Sequence, residues 1–556
     1  MRMRFPLAAC LSMALATALS AQTRIPPRAV VNAASFARPG APQGALARGS
    51  IFTIFGQNIG PADPSSVSEF PLAQTLSGVE ITVTQGETSV KAIPLFVSAG
   101  QINAILPSNA PLGHASLMVQ NAGRRSNPAP VEIGASQLGV FTALGTGYGP
   151  GIAQNFESQT VQPINAPAVP ASRGQVLTIW ATGLGAVTFP DNDAPVPGNL
   201  DVDLRAWVGG VPVSPADLLY YGRSPCCAGV DQIILRVPSE APLSCHAPLE
   251  LQVGQGAPSN TVTLAIAAEG ERCPDLQAIP DGAAPARVGV ITLAQAQVAD
   301  SVDRSAPASY SVEVGGARFR SRPANLFDFD PLATVPPAGS CLAYNFAGNL
   351  SAFGDRSGGA GLDPGPEIRS HGPRGLLRWP SLSVQGWDFY RLLGGDAGGG
   401  GFLSLLLGSY LLPDVYQLAA DGGEDIPAFT VEAAVPAELA WTNRAAVASV
   451  DRAADLEITW AAPDQAATAV LIGGANYDSP SDSTSLFLCA ADPAAARFVV
   501  PRRTLASIAP SRPEPRQSTG WIYVGALAGN QPLAIEGLDA AAAHALAGQA
   551  KTVVWR

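Results

Sequence analysis

Charge is scarce in this sequence. Only 14% of the 556 residues are Asp, Glu, Lys or Arg, where ordinary globular chains carry about 25%. Lysine is nearly missing, with Lys91 and Lys551 its only occurrences. The formal net charge of −11 leaves no broad basic face for a phosphate backbone, so nucleic acid is not an expected partner. Histidine is limited to His114, His246, His371 and His544. No His-Glu-x-x-His helix, Cys-x-x-Cys pair or Gly-x-Ser-x-Gly elbow occurs, so the usual zinc and serine-nucleophile chemistries lack their residues. The glycine run Gly398–Gly401 lacks the Lys-Ser/Thr of a phosphate loop and reads as a flexible turn. Past the N-terminus no stretch of about 18 apolar residues is uninterrupted, so no membrane span is expected in the mature chain.

What the sequence has in quantity is turn residues and apolar runs. There are 57 glycines and 50 prolines, and 47% of residues are hydrophobic. Many breakers between short apolar runs is the pattern of an all-β chain with packed cores. At roughly 150 residues per domain, the length suits three to four domains.

Residues 1–21 read as a signal peptide. Arg2 and Arg4 precede the apolar stretch Phe5–Leu19, and Ala18, Ser20 and Ala21 are small enough for a signal peptidase. Leu7-Ala8-Ala9-Cys10 has the look of a lipoprotein box but lies too early in the stretch. Loss of Cys10 leaves Cys226, Cys227, Cys245, Cys273, Cys341 and Cys489, an even number that in an exported chain favours three disulfides.

The chain contains an internal duplication. Arg48-Gly49-Ser50-Ile51-Phe52-Thr53-Ile54-Phe55-Gly56 recurs as Arg173-Gly174-Gln175-Val176-Leu177-Thr178-Ile179-Trp180-Ala181. The same offset carries Val79–Phe96 onto Leu204–Tyr221. Gln101-Ile102 then matches Gln232-Ile233, and Ser126-Asn127 matches Ser259-Asn260. Ordered landmarks of this kind mark a tandem repeat. The largest gap, between Tyr221 and Gln232, makes the Cys226-Cys227 stretch an insertion in the second unit.

The repeat constrains disulfide pairing. Strand Gln232–Val237 spans about 20 Å at ~3.3 Å per residue, which separates Cys226 and Cys227 from Cys245, whereas bridged Cα atoms lie within about 7 Å. Two further strands return the chain to the end where Cys273 lies. The expected pairs are Cys245–Cys273 and a vicinal Cys226–Cys227, with Cys341–Cys489 left by elimination. Crossed pairing through a folded-back loop is the competing arrangement.

Val31-Asn32-Ala33-Ala34-Ser35-Phe36, the paired Arg-Gly strands, Gln101-Ile102-Asn103 and Ser259-Asn260-Thr261-Val262 resemble a secreted acidobacterial domain family of uncharacterised activity, which is similar to the immunoglobulin-like IPT/TIG domains. The resemblance covers roughly 29–267. It implies immunoglobulin-like sandwiches in exported, multidomain proteins, and it implies no activity.

Residues 268–285 read as a linker. Beyond them strands are expected at 287–297, 309–320, 340–347, 386–393, 402–418, 468–473, 484–490, 497–500, 520–526 and 552–555, with Leu456, Ile458 and Trp460 on one strand face. An exposed Gly/Pro/Asp-rich loop is expected over 352–373. Ala540–Ala547, capped by Asp539 and followed by Gly548, is expected as the one sizeable helix of the mature chain.

Candidate sites are thin. His114 and His246 occupy equivalent repeat positions and suggest a shared structural role. His371 and His544 read as loop and surface residues. Asp328 with Asp330, Asp191-Asn192-Asp193, and Asp201 with Asp203 are the carboxylate groupings that would suit Ca²⁺, with turn or solvated roles as the plainer reading. Trp180 and Trp460 fall on core-like strand phases. Trp387, Trp441 and His371 are the candidate ligand-facing residues, since sugars stack on exposed aromatic faces.

The reading is an all-β chain of tandem immunoglobulin-like β-sandwiches followed by further β-sandwich domains. The boundaries are 1–21 for the signal peptide, 26–136 and 137–268 for the two repeats, and 286–426 and 427–556 for two more sandwiches. The expected role is a secreted or cell-surface binding or adhesion protein without catalytic activity or cofactor, Ca²⁺ aside. Its expected partner is an extracellular protein or polysaccharide. The alternatives are a glycan-binding or glycan-processing protein with its site in 286–556, and a structural spacer.

Overall fold

The computed structural model describes residues 22–273, 286–299, 309–322, 329–331, 333–348, 360–384, 387–394, 409–463, 466–512 and 520–556. The signal-peptide stretch, most of the 268–285 linker, Asp328 and the Gly398–Gly401 run lie outside the described residues. The fold is all-β: tandem immunoglobulin-like sandwiches precede further sandwich layers.

In the first unit, Val79–Gln85 alternates buried and half-buried positions, placing Val79, Ile81 and Val83 in the core. They face Phe52, Ile54, Ile102 and Ala104 from the opposite sheet, as period-two strands packed face to face require. Thr88–Val97 belongs to both sheets. Its first half pairs with Val79–Gln85 and its second with Gln101–Ile105, and the register shifts between Pro94 and Phe96. Pro94, which has no N–H to donate, sits at that irregularity, where a ladder loses least.

Several hydrogen bonds of the first unit recur in the second. Ser126 Oγ accepts from Val119 N (3.0 Å) and donates to Asn127 O (2.8 Å); Ser259 Oγ accepts from Leu251 N (3.1 Å) and donates to Asn260 O (2.8 Å). Asn127 bonds both the N–H and C=O of Ile25, and Asn260 those of Val140. Arg48 Nε reaches Ala110 O and Arg173 Nε reaches Ala241 O. Gly49 and Gly174 both adopt positive φ (69° and 79°), which explains glycine after each arginine.

The insertion in the second unit docks on the first. Gly229, at φ 73°, lies so close that a Cβ there would meet Ile51 Cγ1 at 2.7 Å and Ile105 Cγ1 at 2.9 Å. Ala228 and Val230 pack on the cluster Ile51, Leu72, Ile93 and Ile105. Arg223 and Asp231 at the base of the insertion form a buried ion pair, and Arg223 Nη2 also donates to Gly49 O and Gly185 O, both at 2.8 Å.

In the C-terminal region, fourteen strands among the described residues hydrogen-bond in one sheet. Its spine is the hairpin of Gly520–Pro532 and Ala540–Trp555. The sheet is continuous across the boundary expected at 426/427. Beyond Ala286–Ala299 and Ser309–Arg322 it curls until Phe429–Val435 lies against Ala540–Trp555. There Gln531 bonds both the N–H (2.7 Å) and C=O (3.0 Å) of Ala434. The curl encloses one core, with Phe319, Trp379, Tyr416 and Ala543. The other end of the spine covers a second core, with Trp441, Trp460, Phe487 and Trp555.

Three expectations change here. Ala540–Ala547 is strand, not helix: it pairs antiparallel with Gly520–Pro532 on one side and parallel with Ala286–Ala299 on the other. Ladder bonds on both edges override alanine's local helix preference. At the paired Gly525 and Gly548 the backbones leave no room for a side chain, since a Cβ on Gly548 would stand 2.3 Å from Gly525 Cα. The segment 352–373 is not all loop, because Glu367–Gly372 forms a strand paired with Gly375–Val384. Of the three expected disulfides, the structure forms Cys226–Cys227 and Cys341–Cys489. Cys245 and Cys273 are buried in one cluster with Ala265, without an S–S bond between them.

Candidate functional site

The candidate ligand-facing residues do not converge. Trp441 is 4% exposed, packed in the second C-terminal core with its Nε1 bonded to Asn443. It sits opposite Trp460 on a bridging pair, so its phase is inward. His371 is exposed on the strand Glu367–Gly372, which flanks the other core. Trp387 begins the strand Trp387–Gly394; its side chain lies outside the described residues.

The other sequence candidates hold structural posts. Asp330 accepts from Arg318 (2.6 Å) and Arg320 (3.2 Å), so its carboxylate is engaged by guanidinium. Asp191 accepts from Ser108 N (2.6 Å) and Oγ (2.8 Å), tying the two repeats. Asp203 pairs with Arg205 at the surface. Among the described residues no three His, Cys, Asp or Glu side chains are grouped to hold a metal ion. His114 and His246 share a repeat position but not an environment: His114 is exposed, while His246 packs edge-on against Phe329 at 5.5 Å. His544, expected at the surface, is 5% exposed because its segment is a central strand.

Another site arises where three parts of the chain meet. A cleft of about 590 Å³ is lined by Gly40 and Pro42 of the first unit, the Gln252–Ala257 turn of the second, and Asp451, Arg452, Arg502, Arg503 and Arg556 of the C-terminal region. Junctions of this kind are where ligand clefts usually form. Gln43 fixes the meeting point: its amide reaches Ser507 Oγ (3.1 Å) and accepts from Asn345 (2.5 Å).

Arg503 anchors the cleft wall. Its Nε donates to Glu250 at 2.8 Å, and its guanidinium lies 4.6 Å over the Trp207 ring, a geometry that favours a cation on an aromatic face. Glu250 is buried, and burial pushes its pKa up against the opposing pull of Arg503. The remaining arginines are less committed. Arg502 is exposed and touches Gln255 Oε1 at 3.2 Å. Arg556 is exposed. Arg452 donates to Ile508 O (3.0 Å), yet its Nε is buried and without a hydrogen-bond partner. Burial pushes the Arg452 pKa down, partly offset by neighbouring Asp451. Among the described residues none of these three pairs with a carboxylate side chain.

All but two of the 33 basic residues in the chain are arginine, yet four line this one cleft. Sequence reading missed them because they lie in separate segments and in no motif. The available signal was the Arg502-Arg503 pair in a chain poor in basic residues.

No protein-family model matches the sequence, and no curated protein matches it. Among solved structures it is similar to three titin immunoglobulin domains, I67–I69, at 7% identity over 70% of this chain and 93% of that one (TM-score 0.13). It is also similar to a tetra-tandem repeat from the extending region of a large adhesion protein, at 11% identity over 96% and 98% (TM-score 0.13). A third is the Bacteroides ovatus mixed-linkage glucan utilization locus protein SGBP-B in complex with a heptasaccharide, at 11% identity over 82% and 81% (TM-score 0.13). Scores this low carry no argument about this chain. No helix among the described residues is long and apolar enough to cross a membrane.

Proposed function

We propose that this chain is a secreted or cell-surface binding protein without catalytic activity, and that its sandwiches form a rigid frame presenting the arginine cleft. The carrying observation is the lining of that cleft. It combines guanidinium groups, amides and backbone, and among the described residues Asp451 is its one carboxylate side chain and no Ser, Cys, His, Tyr or Lys lines it. Glycoside hydrolysis uses a pair of carboxylates, and acyl transfer uses a nucleophile beside a base; neither set is present in the lining. The signal-peptide reading of residues 1–21 and the resemblance of 29–267 to secreted IPT/TIG-like domains support a place outside the cell. The extracellular partner is a polysaccharide or protein.

The mature chain on a glycan array, together with a hydrolase substrate panel, tests this. Binding without turnover is the expected result. Release of product from any substrate would overturn the non-catalytic reading and favour glycan processing within 286–556.

A further inference from the structure

We propose that the cleft takes the carboxylate-bearing sugars of an acidic polysaccharide, an assignment that rests on the binding-protein reading above. Three guanidinium groups, Arg452, Arg502 and Arg556, line it without a carboxylate side-chain partner among the described residues. The planar guanidinium fork matches a carboxylate in two parallel hydrogen bonds, which a point-charge ammonium cannot do. Arg452 is held at the cleft wall by the bond from its Nη1 to Ile508 O (3.0 Å).

The neutral part of the lining suits the rest of a sugar. Gln252, Gln255 and the backbone of Gly40 and Gly256 supply donors and acceptors for hydroxyl groups. Nucleic acid fits less well. Single strands bind by stacking bases on aromatic rings, and among the described residues no aromatic side chain lines the cleft; Trp207 is already covered by Arg503.

Isothermal titration of the mature chain with polygalacturonate, alginate and hyaluronate tests the assignment. Controls are methyl-esterified polygalacturonate, dextran sulfate and single-stranded DNA. The expected result is binding of at least one uronate polymer that weakens as salt rises. Esterification should reduce it at least tenfold. Arg452→Gln and Arg556→Gln should each weaken it about tenfold. Arg556→Gln alters an exposed side chain, so its effect stands even if Arg452→Gln fails to fold. Tighter binding of dextran sulfate or DNA, equal binding of the esterified polymer, or no uronate binding at all would overturn it. Tight binding of a neutral glycan that neither variant changes would also overturn it while leaving the binding-protein reading intact. Polymer cleavage during titration would instead sink that reading itself.

Discussion

Arg223 and Asp231 form an ion pair sealed at the junction of the two repeats, with side chains 3% and 0% exposed. The pair is more than local. Arg223 also donates to Gly49 O of the first unit, and Asp231 accepts from Leu184 N at 2.8 Å. Both residues border the insertion that distinguishes the second repeat from the first. The charge pair is thus anchored in the second module and reaches the first through Gly49 O.

Arg223→Ala should destabilise the chain by about 3–5 kcal/mol, since it strands a buried carboxylate. Arg223→Met combined with Asp231→Leu should cost less than the single change, because no charge is left unpaired. Urea unfolding of the two variants beside the unaltered chain checks this; a double variant as unstable as Arg223→Ala would contradict it.

Gly229→Ala should loosen the repeat junction without unfolding either unit. The positive φ alone costs a non-glycine residue about 1–3 kcal/mol, and the new methyl would press on Ile51 and Ile105. Small-angle scattering should show a larger radius of gyration with unchanged far-ultraviolet dichroism.

Cys341 and Cys489 stand opposite each other in the paired strands Ser340–Ala347 and Ser483–Ala491, with Cα atoms 4.0 Å apart. They close a loop of 148 residues. Replacing both with alanine should lower stability by about 2–5 kcal/mol. It should also free the strand whose other face carries Leu342, Tyr344 and Phe346 against Tyr148 of the second unit. Thermal melts and protease nicking near 340 report the two effects.

Ser126→Ala and Ser259→Ala should cost the same, about 1–2 kcal/mol each, because the two hydroxyls make the same pair of bonds. The sites share no partner, so the double variant should equal the sum of the singles. Unequal losses by denaturant titration would show that the duplicated motif has diverged in role.

The duplication was readable because its polar residues keep the same order and spacing in both units. Arginine, serine and asparagine at these positions make bonds that recur because each unit folds the same way, although Asn127 and Asn260 reach partners about a hundred residues away. Strands such as Arg497–Val500 were legible for a similar reason, as short apolar runs between breakers. Ala540–Ala547 was misread because alanine's helix preference is a local quantity, while the strand there is imposed by partners at 288–298 and 520–532. Trp441 was misplaced because an aromatic ring looks the same in sequence whether it faces a core or a ligand.

The sequence alone determined the all-β class and the tandem repeat, because period-two patterning and turn chemistry act over a few residues. Tertiary structure decided the sheet shared by the C-terminal layers, the buried Arg223–Asp231 pair and the arginine cleft. The sheet and the cleft need segments tens to hundreds of residues apart to meet, and the Arg223–Asp231 pair, eight residues apart, is buried only where Gly49 and Gly185 close over it. Burial and charge proximity exist only once that meeting has happened.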